Sequence, residues 1–205
     1  PPHLYMVNDM AEKQPNTRFE ESGGGLYKIK GGIGHSDWSA DGMQPHLADK
    51  MLEYLDENKD SDKPFFLYMA LTAPHIPLFP SKEFKGKSKI GDYGDLVMMI
   101  DDIVGRVNRK LKEIGKYDNT IVMFAADNGC AGYINMDRIN RKGHYPSYIY
   151  RGYKSHGWEG GHRIPFILSW GDRYGHVTDN SLVSLTDLYA TFADMLGYRI
   201  ADDEA

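Results

Sequence analysis

Apolar residues recur along this chain with two different periods. From His46 to Asn58, Leu47, Met51, Leu52 and Leu55 fall on one helical face flanked by charges. A longer stripe runs from Asp95 to Ile114, where Leu96, Ile100, Ile103, Val107, Leu111 and Ile114 recur every three or four positions and Gly115 follows as a stop. The segment "SLTDLYATFADMLG" (184–197) predicts a third helix, capped by Ser or Thr near its start and ended by Gly197. Other runs are apolar throughout and have the length of strands: "KPFFLYMAL" (63–71), "TIVMFAA" (120–126) and "IPFILSW" (164–170). "HLYMV" (3–7) is a further short candidate, and the rest of the first 44 residues is weakly patterned, with glycine-rich loop markers.

Helices alternating with strands that are apolar on both faces predict an α/β fold: a mostly parallel sheet flanked by helices. In open sheets of this kind the ligand site lies outside the carboxyl ends of the strands. Two strand ends are polar here, one leading to His75 and one to Asp127 and Asn128, so they are expected to share a cleft.

Composition narrows the function classes only a little. An apolar content of 41% with 26% charged residues excludes disorder as a description of the whole, and 205 residues suit one domain. A net charge of −5 gives no global drive toward nucleic acid or an anionic membrane. No apolar run approaches the ~20 residues that span a bilayer. Cys130 is the only cysteine, which rules out an internal disulfide. It also lacks an adjacent histidine or helix start to lower its pKa, so a small buried hydrophobe is its expected role.

Three segments could carry chemistry. Asp127-Asn128-Gly129 offers a carboxylate and an amide carbonyl, oxygen donors suited to a hard cation such as Ca²⁺ or Mg²⁺; the same residues equally make a turn. His75, stiffened between prolines in "TAPHIP", can donate to an anionic oxygen or shuttle a proton, or can be an ordinary loop residue. "RGYKSHGWEGGHRIP" (151–165) combines cations with open glycine amides that suit a tetrahedral oxyanion. With Tyr145, Tyr148 and Tyr150 it could instead stack single-stranded nucleic acid, or it could be a surface loop in which Glu159 pairs with an arginine.

In combination these segments are specific. "KPFFLYMALTAPHIP", a helix containing "MMIDDIVGRV", "YDNTIVMFAADNG" and "RGYKSHGWEGGHRIPFILSW" follow one another in an order that closely resembles the sulfatase family of the alkaline-phosphatase-like superfamily, over about residues 45–197. The resemblance implies an alkaline-phosphatase-like fold and hydrolysis of small-molecule or carbohydrate sulfate esters. It implies that Asp127 and Asn128 bind a divalent metal, calcium before magnesium, that His75 contacts the sulfate or the leaving oxygen, and that Lys154 contacts a sulfate oxygen. Glu159 and Arg163 match positions that hold the turn before the next strand. The family nucleophile is a formylglycine made in a Cys/Ser-x-Pro-x-Arg motif; the chain contains no such motif and lacks the family's early metal ligands. It also begins without Met or a leader pattern, so a partial catalytic domain, inactive alone and poorly folded, is the expectation. A periplasmic, secreted or lysosomal-type compartment goes with the family. Two alternatives keep their tests: a phosphatase or phosphodiesterase of the same superfamily would hold zinc rather than calcium, and a nucleic-acid-binding module would bind with a steep salt dependence.

Overall fold

The computed structural model describes residues 2–201. Those up to Arg173 form one compact unit and those from Tyr174 onward another. In chain order the first unit contains β1 (Met6–Val7), β2 (Met10–Ala11), β3 (Thr17–Phe19), β4 (Gly32–Gly34), α1 (Met43–Glu57), α2 (Asp92–Glu113), β5 (Ile121–Ala125), α3 (Met136–Asn140), α4 (Glu159–His162) and β6 (Phe166–Trp170). The second contains α5 (Asp187–Met195).

The two long helices sit where the apolar stripes put them, each beginning three residues early. Pro45 is tolerated because it lies in the first turn of α1, where amide hydrogens have no intrahelical partner. The face that α1 buries is Gln44, Ala48, Met51 and Leu55, so Leu47 and Leu52 end up at its margin. Along α2 the buried row is Leu96, Met99, Ile100, Ile103 and Leu111, and Gly115 ends the helix with a φ of 70°. Arg106 pairs with Asp49 (2.6 Å) and Lys110 with Asp56 (3.5 Å) across the two helices.

Ala48 and Met51 from α1, Leu96, Met99 and Ile103 from α2, and Leu78 and Phe84 from the loop between them form the core. Leu71, Ala73 and Ile76 pack against it from the same loop. At the start of α2 the fully buried Asp95 accepts hydrogen bonds from the Gly86 and Ser88 amides (2.7 and 2.5 Å), pinning that loop to the helix.

The sheet departs from expectation. Among the described residues every ladder has two strands, and the longest, β5 with β6, is antiparallel, pairing Ile121 with Trp170 through Ala125 with Phe166. The parallel arrangement rested on strands apolar on both faces, but β6 leaves Ile167 and Leu168 exposed, so the cover that pattern calls for is not supplied by the described residues. The run 63–71 forms no ladder, and its Phe66 and Tyr68 are exposed. "HLYMV" contributes Met6 and Val7, paired to β2 in a short hairpin, and His3, which makes an isolated parallel bridge to Gly34. No helix among the described residues is long and apolar enough to cross a membrane.

Candidate functional site

The His75 loop is shaped by what lies beneath it. Leu71, Ala73, Ile76 and Leu78 turn toward the core, the His75 amide closes a turn onto the Thr72 carbonyl (3.0 Å), and the imidazole is left exposed. His75 Nδ1 lies 2.8 Å from the Ile76 carbonyl oxygen. A carbonyl can only accept, so Nδ1 carries the proton and Nε2 is the nitrogen left to take or deliver one.

Asp127 and Asn128 emerge two and three residues beyond β5, the first exposed and the second half-buried. Asn128 Nδ2 donates to the Gly129 carbonyl (3.1 Å), which leaves the side-chain oxygen as its group for a cation. Two oxygen donors have the right chemistry for calcium, but calcium takes about six to eight. Among the described residues no group of three or more His, Cys, Asp or Glu is arranged to hold a metal. The fit is therefore correct in kind and partial in number.

Two backbone hydrogen bonds fasten the Lys154 segment onto this strand end. The Gly129 amide donates to Gly161 (2.9 Å) and the Lys154 amide to Cys130 (2.8 Å). Contact this close requires glycine: a Cβ on Gly129 would come within 2.0 Å of the Gly160 carbonyl oxygen, and one on Gly161 within 2.0 Å of that of His156. The "EGG" sequence thus works as a spacing device. Lys154 is half-buried, and among the described residues no carboxylate lies within ion-pair distance of it. The neighbouring Ser155 is held at a φ of 74°, a strained conformation that persists only where surrounding contacts impose it. Glu159 pairs with Arg163 (2.9 Å) across α4, an exposed bridge of small energetic weight.

Tyr133, which sequence reasoning missed, connects these parts. It lies in a 3-10 turn (Gly132–Ile134), and its ring meets that of His75 edge-on with centroids 5.9 Å apart. Burial pushes its hydroxyl up, a backbone hydrogen bond with Ile76 opposes this, and the Cys130 and Asp127 charges add to the rise. It is therefore the residue that touches the His75 loop and also feels Asp127. Only its position in the same loop as "DNG" could have marked it. Cys130 sits 3.4 Å from the Tyr93 hydroxyl; burial raises its thiol pKa, with hydrogen bonding to Tyr93 and to the Ala131 backbone opposing, so it is a poor nucleophile.

The chain as a whole is similar to known proteins. A family model described as Sulfatase matches residues 7–198. An N-acetylgalactosamine-6-O-sulfatase of Bacteroides thetaiotaomicron is 32% identical over 205 aligned residues, covering 95% of this chain and 40% of that protein. An arylsulfatase of Hemicentrotus pulcherrimus is 35% identical over 162 residues, covering 79% of this chain and 28% of that protein. A structure solved in work on glycosaminoglycan metabolism by Bacteroides thetaiotaomicron superposes with a TM-score of 0.77 at 31% identity, over 85% of this chain and 37% of that one. The chain therefore spans well under half the length of these relatives.

Proposed function

The chain belongs to the sulfatase family and shares its alkaline-phosphatase-like fold in part, and from that premise we propose that it carries the later part of an active site that hydrolyses sulfate esters. The observation that carries the proposal is the pair of backbone hydrogen bonds that fastens the Lys154 segment to the loop holding Asp127 and Asn128. In this reading Lys154 offsets charge on a non-bridging sulfate oxygen, which a lysine without a carboxylate partner among the described residues is suited to do. His75 acts at the bridging oxygen: its Nδ1 proton is committed to Ile76, so Nε2 must itself first take up a proton, and the imidazolium then hands that proton to the departing alcohol and keeps the one on Nδ1. Tyr133 holds that loop in place from the metal side.

Asp127 and Asn128 would hold calcium together with oxygen donors from elsewhere, and a bound cation would offset the charge of the sulfate group. The nucleophile is not among these residues, and Cys130 does not supply it. A mostly parallel sheet is part of the same proposal, since such a sheet would cover the exposed apolar rows of 63–71 and β6.

The test is hydrolysis of an aryl sulfate by a protein in which this chain is joined to a segment that supplies a formylglycine. Asp127→Ala combined with Lys154→Ala is expected to lower kcat/KM by at least about a thousandfold. Full activity in the double variant would overturn the site assignment. Metal analysis of the same protein is expected to find calcium; stoichiometric zinc would favour a phosphatase.

A further inference from the structure

Gln44 is the polar member of the row that α1 turns toward the core. Its companions there are Ala48, Met51 and Leu55, and Gln44 itself is only 3% exposed. Its Nε2 donates to the Thr72 hydroxyl, 28 positions further on, while its Oε1 is buried with no hydrogen-bond partner among the described residues. A buried carbonyl oxygen left unpaired lowers stability, so an apolar side chain of the same size would serve the packing at least as well. The contact to Thr72 is what such a side chain could not make.

Thr72 opens the turn that presents His75, since its carbonyl accepts from the His75 amide (3.0 Å). The loop around that turn cannot fix itself by regular pairing, because Pro74, Pro77 and Pro80 remove three amides from residues 72–80. Leu71, Ala73 and Ile76 pack against the core, but apolar contact is non-directional and defines position less sharply than a hydrogen bond. At the far end of the loop the Leu78 amide donates to the Leu26 carbonyl (2.8 Å), and in the middle Tyr133 hydrogen-bonds the Ile76 backbone. Gln44 supplies the anchor at the near end, from the first turn of a fifteen-residue helix.

We propose that Gln44 is a positioning residue for His75: through Thr72 it fixes the turn to α1 and so sets where Nε2 stands against the departing oxygen. This rests on the reading of His75 as proton donor and goes beyond it by naming what aims the donor. Proton transfer needs donor and oxygen within hydrogen-bond reach, and a displacement of about 1 Å caused far from the reacting atoms can cost on the order of a hundredfold. Sulfates whose alcohol leaves easily need little help from a proton, and those whose alcohol leaves reluctantly need much. A misaimed His75 should therefore penalise the second kind selectively. The competing role for Gln44 is structural alone, a strap that stabilises the loop, and it predicts equal loss on every substrate.

The experiment uses the protein in which this chain is joined to a segment that supplies a formylglycine, and compares para-nitrophenyl sulfate with a primary alkyl sulfate. Gln44→Met, of similar bulk without the amide, and Thr72→Val, of similar shape without the hydroxyl, should each lower kcat/KM for the alkyl sulfate by at least about tenfold. For the nitrophenyl ester the loss should stay below about threefold. The double variant should lose no more than the worse single one, and Thr72→Ser, which keeps the hydroxyl, should match the parent. Hydrogen exchange at the His75 amide needs no turnover, and in Gln44→Met it should quicken by at least about threefold while α2 keeps its protection. Indifference of the alkyl sulfate, equal loss on both esters, or unchanged exchange at His75 would each overturn the proposal. His75→Ala separates the two readings, because it should show the same selectivity more strongly, by about a hundredfold. If it does and the Gln44 and Thr72 variants do not, the tether is wrong and the catalytic assignment stands. If His75→Ala slows both esters alike, the assignment of His75 falls and the tether with it. Circular dichroism of each variant identifies loss through misfolding; should Gln44→Met fail to fold, Thr72→Val, at an exposed position, decides.

Discussion

At the scale of single residues, burial decides what each polar group can do. Asp95 is fully buried and satisfied by two amides from the loop ahead of its helix, and its position in the first turn of α2 adds a favourable helix dipole. Asp95→Ala strands both amides, and we expect it to cost roughly 2–5 kcal/mol, read as a lower urea midpoint followed by helical circular dichroism. Cys130 illustrates the opposite effect of burial. Its raised pKa means that little thiolate exists at neutral pH, so iodoacetamide should modify it several-fold more slowly than it does a free cysteine, with the rate rising as pH is raised. Alkylation at the free rate would contradict the buried environment. Both strand-end residues, Asp127 and Asn128, were legible in the sequence because an acid and an amide closing an apolar run are conspicuous. Tyr133 was not, because its importance comes from neighbours 58 and 6 positions away, His75 and Asp127.

At the scale of elements, the contacts that matter join segments far apart in sequence. Glu12, just past β2, ties the hairpin to α1 through Lys50 (3.1 Å) and His46 (2.9 Å). The hydrogen bond from Lys50, more than the nearby His46, holds its carboxyl below the ordinary value of 4.5, against a small burial effect. A carboxylate with a depressed folded pKa contributes stability that is complete above its ordinary value and is lost as pH falls through the lowered one. Hydrogen exchange in Met6–Ala11 should therefore accelerate on acidification through that window, and Glu12→Gln should remove the dependence. The gain is small, as for any exposed pair. Gly161 sets a stricter condition. Its Cβ would strike the His156 carbonyl oxygen, so Gly161→Ala should push the Lys154 segment off the β5 end. Loss of amide protection at Gly129 and Lys154 would report it, while α1 and α2 stay protected.

At the scale of the whole molecule, much apolar surface is uncovered. Phe66, Tyr68, Ile167 and Leu182 are 76, 80, 60 and 100% exposed, well beyond the scattered exposure usual for a folded monomer. The chain alone should bind anilinonaphthalene sulfonate and self-associate as concentration rises. A monodisperse chain that leaves the dye dark would contradict this.

Local patterning determined the two long helices and the strands β5 and β6 to within a few residues: side chains three or four apart on a helix sense the same neighbours whatever the topology, and a short run apolar throughout has the length of a buried strand. The same pattern marked the strand ends where Asp127 and Asn128 stand and, through the resemblance, His75 and Lys154. Direction and pairing of strands lay beyond it. An apolar run asks to be buried without naming a partner, so 63–71 reads as a strand yet joins no ladder, and β6 turns out antiparallel to β5. Only the tertiary structure showed that "EGG" is a spacing requirement, that the Tyr133 ring meets His75, and that aromatic rings beside Lys154 are already stacked on cations. Each of these is a distance between segments separated along the chain, and no local pattern encodes such a distance.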